Sequence, residues 1–540
     1  MPDVRVEFNE DSYLEIFGHF SAIGEYNKEV KIFGNGTSRG VIQIYGYLDN
    51  PLDSILFEYC WIWDGYALDS LAGGGGLSII GRDRVSLKNC IMEGNKAKNK
   101  GGAIYLENSD ILISNTEFYY NVVGNDADDA KGGALYAKNC DPQIVNSYFK
   151  GSHAQIGGAI FTSNSSPELI GCSFEDSYCF GGGGGIVFQD SGHVLIMDCS
   201  FKSNSATGSG GALAFLEGIH ARIENTYFEN NHAESSKYIA DGGAIFITPF
   251  DNEINIINCI FKGNVSEHNG GAVHVESDAN IIGSLFIDNN TTTADMQGGG
   301  AIAASQAHLI IHNCTFSNNY SPLVGTSLLL IDANISMINS ILWDDVVYNQ
   351  NVIFLNTIED TAKLFIDNCD IKGGINYINA TGGVLNWENG NIEESPHFIL
   401  PGVDFSLAWN SPCINAGRSD TLQFFIPAED LAGNPRISGG EIDMGCYEYQ
   451  GPIRIPEKVK NEDFVVYPNP AKDHIYIRSG REFDGRLTIS DLSGRTVVDR
   501  EVNISKDSPV RQALPGIPAG FYILNLNSKD YSLSQKLIIK

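Results

Sequence analysis

Residues 242–273, GGAIFITPFDNEINIINCIFKGNVSEHNGGAV, hold one full period of this chain, and their reading decides the fold. A glycine pair opens an apolar run at Ile245 and Ile247, and a second alternating run follows at Ile254 and Ile256. Asn258 interrupts it, Cys259 and Phe261 alternate in a third run, and Asn264 precedes the next glycine pair. Outward from here the glycine motif recurs as GGGL 74–77, GGAI 101–104, GGAL 132–135, GGAI 157–160, GGGI 183–186, GGAL 210–213, GGAV 270–273 and GGAI 299–302, with a degraded GTSL at 325–328. Successive copies lie 25 to 32 residues apart. The motif between them reads NCIM 89–92, NTEF 115–118, NSYF 146–149, GCSF 171–174, DCSF 198–201, NTYF 225–228, GSLF 283–286, NCTF 313–316, NSIL 339–342 and NCDI 368–371. In several copies it continues to an asparagine: Asn121, Asn204, Asn231, Asn264, Asn289 and Asn319.

Alternation of this kind is strand periodicity, and the period leaves no room for the helices of leucine-rich, ankyrin or tetratricopeptide repeats. Three short strands per repeat describe one turn of a parallel β-helix. Stacked at about 4.8 Å, roughly 12 or 13 such coils form a rod on the order of 60 Å long. Asn89, Asn115, Asn146, Asn225, Asn258, Asn313, Asn339 and Asn368 open the second motif, with Gly or Asp in the same place elsewhere. Those residue types best tolerate a left-handed backbone, so they are expected to form a corner ladder bonded from coil to coil. The next position (Cys, Thr or Ser) and the aromatic then point inward. Cys60, Cys90, Cys172, Cys199, Cys259, Cys314 and Cys369 fill that slot and are read as small buried side chains, since no converging metal ligands accompany them.

The composition agrees. The 540 residues carry 35 Lys and Arg against 66 Asp and Glu, a net charge of −31, which excludes a nucleic-acid binder. Hydrophobic residues at 43% supply a large core, and no apolar run is long enough to cross a membrane as a helix. The 59 glycines belong to the repeat rather than to flexible linkers.

The alternation of GGAI with FxxN over about residues 40–345 resembles the polymorphic outer-membrane-protein repeat of the right-handed parallel β-helix, pectin-lyase-like superfamily. That resemblance implies a secreted or surface-displayed rod, often an adhesin, and not catalysis. Farther on, SPHF 395–398, SPCINAG 411–417, DLAGNPR 430–436 and EIDMGCYEYQ 441–450 resemble the end cap of surface β-helix proteins termed choice-of-anchor Q. The last segment, with VYPNPAKDHIYI 466–477, ISDLSGRTV 489–497, LPGIPAGFYILNL 514–526 and SQKLIIK 534–540, resembles the type A sorting domain of the type IX secretion system of Bacteroidetes. Its motif residues here are Tyr467, Pro468, Asn469, Pro470, Asp491, Gly494, Arg495, Gly520, Tyr522 and Lys536. The resemblance implies export across the outer membrane by that machinery, removal of the domain by a sortase, and a passenger attached at the surface or released. Such cargo needs an N-terminal signal, and Met1 to Gly18 has neither a basic nor an apolar region of that kind, so the native start is expected upstream of Met1.

The expected fold is therefore all-β: a right-handed parallel β-helix over 1–395, its cap over 396–450, a linker over 451–463, and a small Ig-like β-sandwich over 464–540. A monomer is expected. Cys413 and Cys446, both in the cap, are candidates for a disulfide in an exported protein. No cofactor is expected beyond a calcium ion that Asp126, Asp128 and Asp129 could hold, since carboxylate-rich loops suit that cation. No catalytic constellation stands out: no GHG, no RxK, and no basic residues on one face. The binding candidates are Tyr105, Tyr136, Phe161, Phe246 and His274, each following a core aliphatic of the glycine strand and so expected on the outer face. Such an aromatic row, beside the insertions at 121–131, 231–241 and 289–298, suits a glycan or a protein partner. Three functions are compatible with this reading: an adhesin-like binder, a polysaccharide lyase or glycoside hydrolase, and a structural stalk.

Overall fold

The computed structural model describes residues 4–9, 12–34, 41–46, 54–67, 73–124, 130–235, 239–293, 298–344, 351–419, 425–451, 464–480, 482–491, 495–506, 508–528 and 532–540. The chain divides into two compact units, Met1–Gln450 and Gly451–Lys540. Among the described residues the first is a parallel β-solenoid built of three 14-stranded sheets and one 9-stranded sheet of two-residue strands. The repeat therefore contributes a fourth short strand, such as Val265–Ser266, beyond the three expected. The first coil begins at the amino terminus, where Arg5–Phe8, Leu14–Ile16 and Phe20–Ile23 already pair with the strands that follow. They carry no glycine motif, yet they fall within the β-helix expected over 1–395.

Register is strict. Phe228 lies beside Phe261 and Ile245 beside Val273, so like stacks on like along the axis. Phe118, Phe149, Phe174, Phe201, Phe228, Phe261, Phe286 and Phe316 form one ring stack, with centroids 4.4 to 5.2 Å apart and planes within 9° of parallel. All eight are fully buried. Deleting one such ring costs about 3–5 kcal/mol, so this column alone commits a large fraction of the stability.

The two glycines of each pair answer different demands. Gly210 has φ +76°, a left-handed turn into the strand. A Cβ on Gly211 would lie 2.1 Å from the carbonyl oxygen of Gly243 in the next coil, so coils at strand spacing exclude any side chain there.

All eight corner asparagines have φ between 47° and 53°, as the left-handed corner requires. Their side chains do not form a continuous ladder. Asn225 donates to Asp198 across a 3.3 Å gap, whereas Asn258, Asn313, Asn339 and Asn368 donate to backbone carbonyls of Glu429, Asp443, Arg418 and Ala416. The ladder that does run coil to coil belongs to the asparagine after the aromatic. Asn231 Nδ2 donates to Asn264 Oδ1 at 2.9 Å and to the Phe201 carbonyl at 2.9 Å, while Asn264 Oδ1 also accepts the Asn231 backbone N–H. Asn204, Asn264, Asn289 and Asn319 repeat the pattern, and Asp344 ends it as the acceptor for Asn319.

Residues 396–450 run back along the flank of the solenoid. Cys413 meets Asp370, Arg418 meets Asn339, Gly445 and Cys446 meet Asn339 and Thr315, and Glu429 meets Asn258. The segment thus spans several coils. Phe398, Phe405, Leu407 and Met444 close a second core against Leu285, Ile287 and Ile341. Cys413 and Cys446 are free thiols buried in this seam, so the expected disulfide is not formed; Cys413 donates to Asp370 Oδ2 at 3.2 Å.

The second unit is two antiparallel sheets of three and four strands around one core that includes Ile475, Ile477, Leu487, Leu524 and Leu526. It is a small sandwich of the expected class. Of the linker over 451–463, residues 452–463 lie outside the described residues.

Candidate functional site

The aromatic row sits on the outer face of the glycine-strand sheet, with Tyr105 paired to Tyr136 and Tyr136 to Phe161 in register. Their rings stack at 5.4 and 5.5 Å, both 2° from parallel. The row is nevertheless not an open surface. Tyr136, Phe161, Val187, Ala214 and His274 are buried, and the first four form a cluster of their own outside the main core. Lys100 and Lys131 lie over the Tyr136 and Phe161 rings at 5.0 and 4.7 Å. Only Tyr105 and Phe246 remain half-buried, and Tyr105 donates to Glu107 at 2.7 Å. Strand alternation sends these residues away from the core, but whether a second layer covers them depends on the segments before each glycine pair. The expected binding row is therefore corrected to a packed seam. Asp126, Asp128 and Asp129 lie outside the described residues. Among the described residues no cluster of three metal-ligating side chains occurs.

The repeat-slot cysteines are all buried. Burial pushes the Cys259 and Cys314 thiols up to about 12, so they stay protonated and unreactive at neutral pH.

An open cavity of about 610 Å³ lies where the flank segment leaves the solenoid. Its walls include Trp343, Lys372, His397, Asn410, Pro396 and Pro401. Trp343 follows a core strand, Ile341–Leu342, and is half-buried, with Lys372 Nζ 5.8 Å from its ring. His397, at φ +46°, turns its ring back onto the Asn410 carbonyl at 3.2 Å. The result is an aromatic face beside hydrogen-bonding groups in a cavity of ordinary ligand size. The sequence contains a partial signal for it, a tryptophan directly after the repeat motif NSIL at 339–342, but only the fold brings that residue beside the SPHF motif at 395–398. A shallower groove of about 340 Å³ lies on another sheet, among Gln143, Glu168, His193 and Arg222. Gln143 donates to Glu168 there at 3.3 Å.

In the second unit Asn469, Gly520, Tyr522 and Lys536 lie on or beside the terminal strand, Ser532–Ile539. Asn469 donates to the Lys536 carbonyl at 2.7 Å and accepts from the Ile538 N–H at 2.9 Å. Arg495 donates through its backbone N–H and Nε to Asp491, closing the turn between two strands. Tyr522 donates to the Pro518 carbonyl, and Lys536 lies 4.3 Å from the exposed Phe521 ring. Gly494 lies outside the described residues.

Comparison with known families bears on both units. Residues 465–540 match the secretion system C-terminal sorting domain, and residues 75–249 and 120–286 match the right-handed β-helix region. This chain is a right-handed β-helix protein with a type IX sorting domain. It is accordingly secreted or attached to the outer-membrane surface, and its C-terminal domain is addressed to the type IX secretion machinery. No helix among the described residues is long and apolar enough to cross a membrane. No curated protein matches the chain. Among solved structures, tailspike protein 3 of bacteriophage CBA120 is similar at 11% identity with a TM-score of 0.22, over 70% of this chain and 55% of the tailspike.

Proposed function

We propose that the β-helix is an adhesin-like passenger that binds a neutral glycan in the cavity bounded by Trp343, Lys372, His397 and Asn410. The observation that carries this reading is the half-buried Trp343 ring forming one wall of a 610 Å³ cavity whose other walls carry hydrogen-bonding groups. Sugar rings offer a C–H face that stacks on tryptophan and hydroxyls that exchange hydrogen bonds with Lys, His and Asn. Neutral rather than acidic glycans follow from the net charge of −31, which repels polyanions. The flank segment supplies half of the cavity, giving that segment a role beyond covering the solenoid.

The test is retention of the full chain on an array of neutral and acidic glycans, followed by titration calorimetry on the best neutral ligand. Trp343→Ala is expected to weaken binding at least about tenfold, the loss of one stacking contact. Unchanged affinity in that variant, or retention by acidic glycans only, would remove the cavity from the account.

A further inference from the structure

Three side chains on the outer face of the glycine-strand sheet meet in an order that neither the repeat nor the binding cavity requires. His274 is the last member of the aromatic row and is 2% exposed. Its Nε2 lies 3.1 Å from Ser305 Oγ, one coil farther along. Its Nδ1 lies 3.0 Å from Asp241 Oδ2, an approach close in distance but off the hydrogen-bond line. Asp241 is itself fixed: its Oδ1 accepts from the Asn269 N–H at 2.8 Å, and its own N–H is held by Ser209 Oγ at 3.1 Å. Ser305 is half-buried at the end of its strand, Ile302–Ser305, so its hydroxyl lies at the edge of the covered seam. The half-buried Phe246 packs edge-on against His274 with ring centroids 5.6 Å apart, and Ala303 stands beside His274 on the next strand. Glu276 Oε1 is 3.9 Å from Nε2.

We infer that Ser305, His274 and Asp241 form a nucleophile, base and orienting carboxylate that hydrolyse short-chain carboxylic esters. The order is that of hydroxyl–imidazole–carboxylate hydrolases: the imidazole takes the hydroxyl proton at one nitrogen while a buried carboxylate faces the other. Ser305 Oγ forms a bond to the acyl carbon as its proton passes to His274 Nε2. The tetrahedral intermediate collapses, the ester C–O bond breaks, and His274 gives that proton to the leaving alkoxide, releasing an alcohol. A water molecule then attacks the acyl-serine, losing its proton to His274. The C–Oγ bond breaks, Ser305 recovers the proton, and a carboxylic acid leaves. The sum is ester plus water to alcohol plus acid. Esters fit better than amides because an alkoxide leaves more readily than an amine, and the half-buried, apolar Phe246 beside the histidine suits a short acyl chain.

Four charged groups set the pH dependence. Burial by itself would push His274 down, but the Asp241 carboxylate, with Glu276 adding to it, holds it above the usual histidine range. Burial likewise pushes Glu276 up, and His268 faces Asp241. The base therefore works only once His274 has lost its proton, so the rate climbs with pH. Asp241→Asn removes the charge that favours imidazolium, so this limb moves to lower pH while the maximum rate falls. A residue with only a packing role would not move the limb.

The experiment uses the full chain with 4-nitrophenyl acetate as probe and a fluorophosphonate as covalent trap, with the modified residue mapped by mass spectrometry. The expected result is phosphonylation of Ser305 and a fall in kcat/KM of at least about 100-fold in Ser305→Ala. Mapping on the unmodified chain does not depend on how the variant folds. No phosphonylation of Ser305, or hydrolysis unchanged in folded Ser305→Ala, would overturn the inference.

Discussion

The solenoid carries two rows of asparagine that look alike in sequence and do unlike things. Asn115 stands at an exposed corner with φ +47° and offers its backbone conformation. Asn231, fully buried, offers all of its side-chain polarity: it joins Phe201, Asn204 and Asn264 through five hydrogen bonds. A left-handed turn can be supplied by glycine, as Gly171 and Gly283 do in that same corner position. A buried amide bonding above, below and to the backbone is matched by no other side chain: Ser152 and Ser177 stand in the same row, and their buried hydroxyls make none of these bonds. The corner row therefore loses little where it faces water, whereas the inner row loses its bonds wherever another residue replaces asparagine. Between these extremes lie Asn258, Asn313, Asn339 and Asn368, whose corners are covered by the flank segment.

Substitutions should separate these classes. Asn231→Ala removes the side-chain bond to the Phe201 carbonyl and takes the acceptor from the buried Asn204 N–H and Nδ2, and is expected to cost about 3–5 kcal/mol in chemical denaturation. A loss under about 1 kcal/mol would mean that the inner ladder is no more than a corner. Asn339→Gly keeps the left-handed turn but removes the bonds to the Arg418 carbonyl at 3.1 Å and from the Arg418 N–H at 2.8 Å. That should cost about 1–2 kcal/mol. It should also speed amide exchange selectively in residues 413–447, a localisation that a defect of the whole solenoid would not produce.

The seam also holds charges that pH can test. Burial pushes Asp370 up to about 7 and Glu448 up to about 7, in the second case despite the nearby Arg436. Both are acids with raised values, so between about pH 4 and 7 the folded chain holds protons that the unfolded chain has released. Stability then falls as pH rises through that window. Asp370→Asn should raise stability by about 1–2 kcal/mol at pH 8 and by little at pH 4, read from melting at the two pH values. Smallest of all, Asn115→Gly should change stability by less than about 0.5 kcal/mol, because glycine adopts the corner conformation and no buried bond is lost. A loss comparable to that of Asn231→Ala would erase the distinction between the rows.

Much of this architecture is legible in one dimension because a solenoid is local. Each coil touches only its neighbours, so Gly210, Asn258 and Phe261 carry their meaning within about one period. The corner asparagines and the inward aromatics could be read this way, while the motifs around Asn469 and Asp491 were legible through their resemblance to a known sorting domain. The aromatic row could not. Alternation places Tyr136 and Phe161 outside the core, but their burial depends on a second layer that has no periodic signature. Nor could the flank segment be read, since Glu429 bonds Asn258 from 171 residues away. The Asp241–His274–Ser305 cluster was hidden for a related reason: its members come from three different coils and occupy no repeated position.

By itself the sequence determined the coil: its length, its corners, its stacked core and the export domain that follows. The first three arise from backbone geometry and from side chains repeating at the strand spacing, which any one period already contains; the export domain shows instead in its own motifs from Tyr467 to Lys536. The tertiary structure alone decided which outer surfaces stay open, where the segment after the last coil lies, and which polar groups from separate coils meet. These depend on contacts between residues far apart in the chain, and no repeat encodes them.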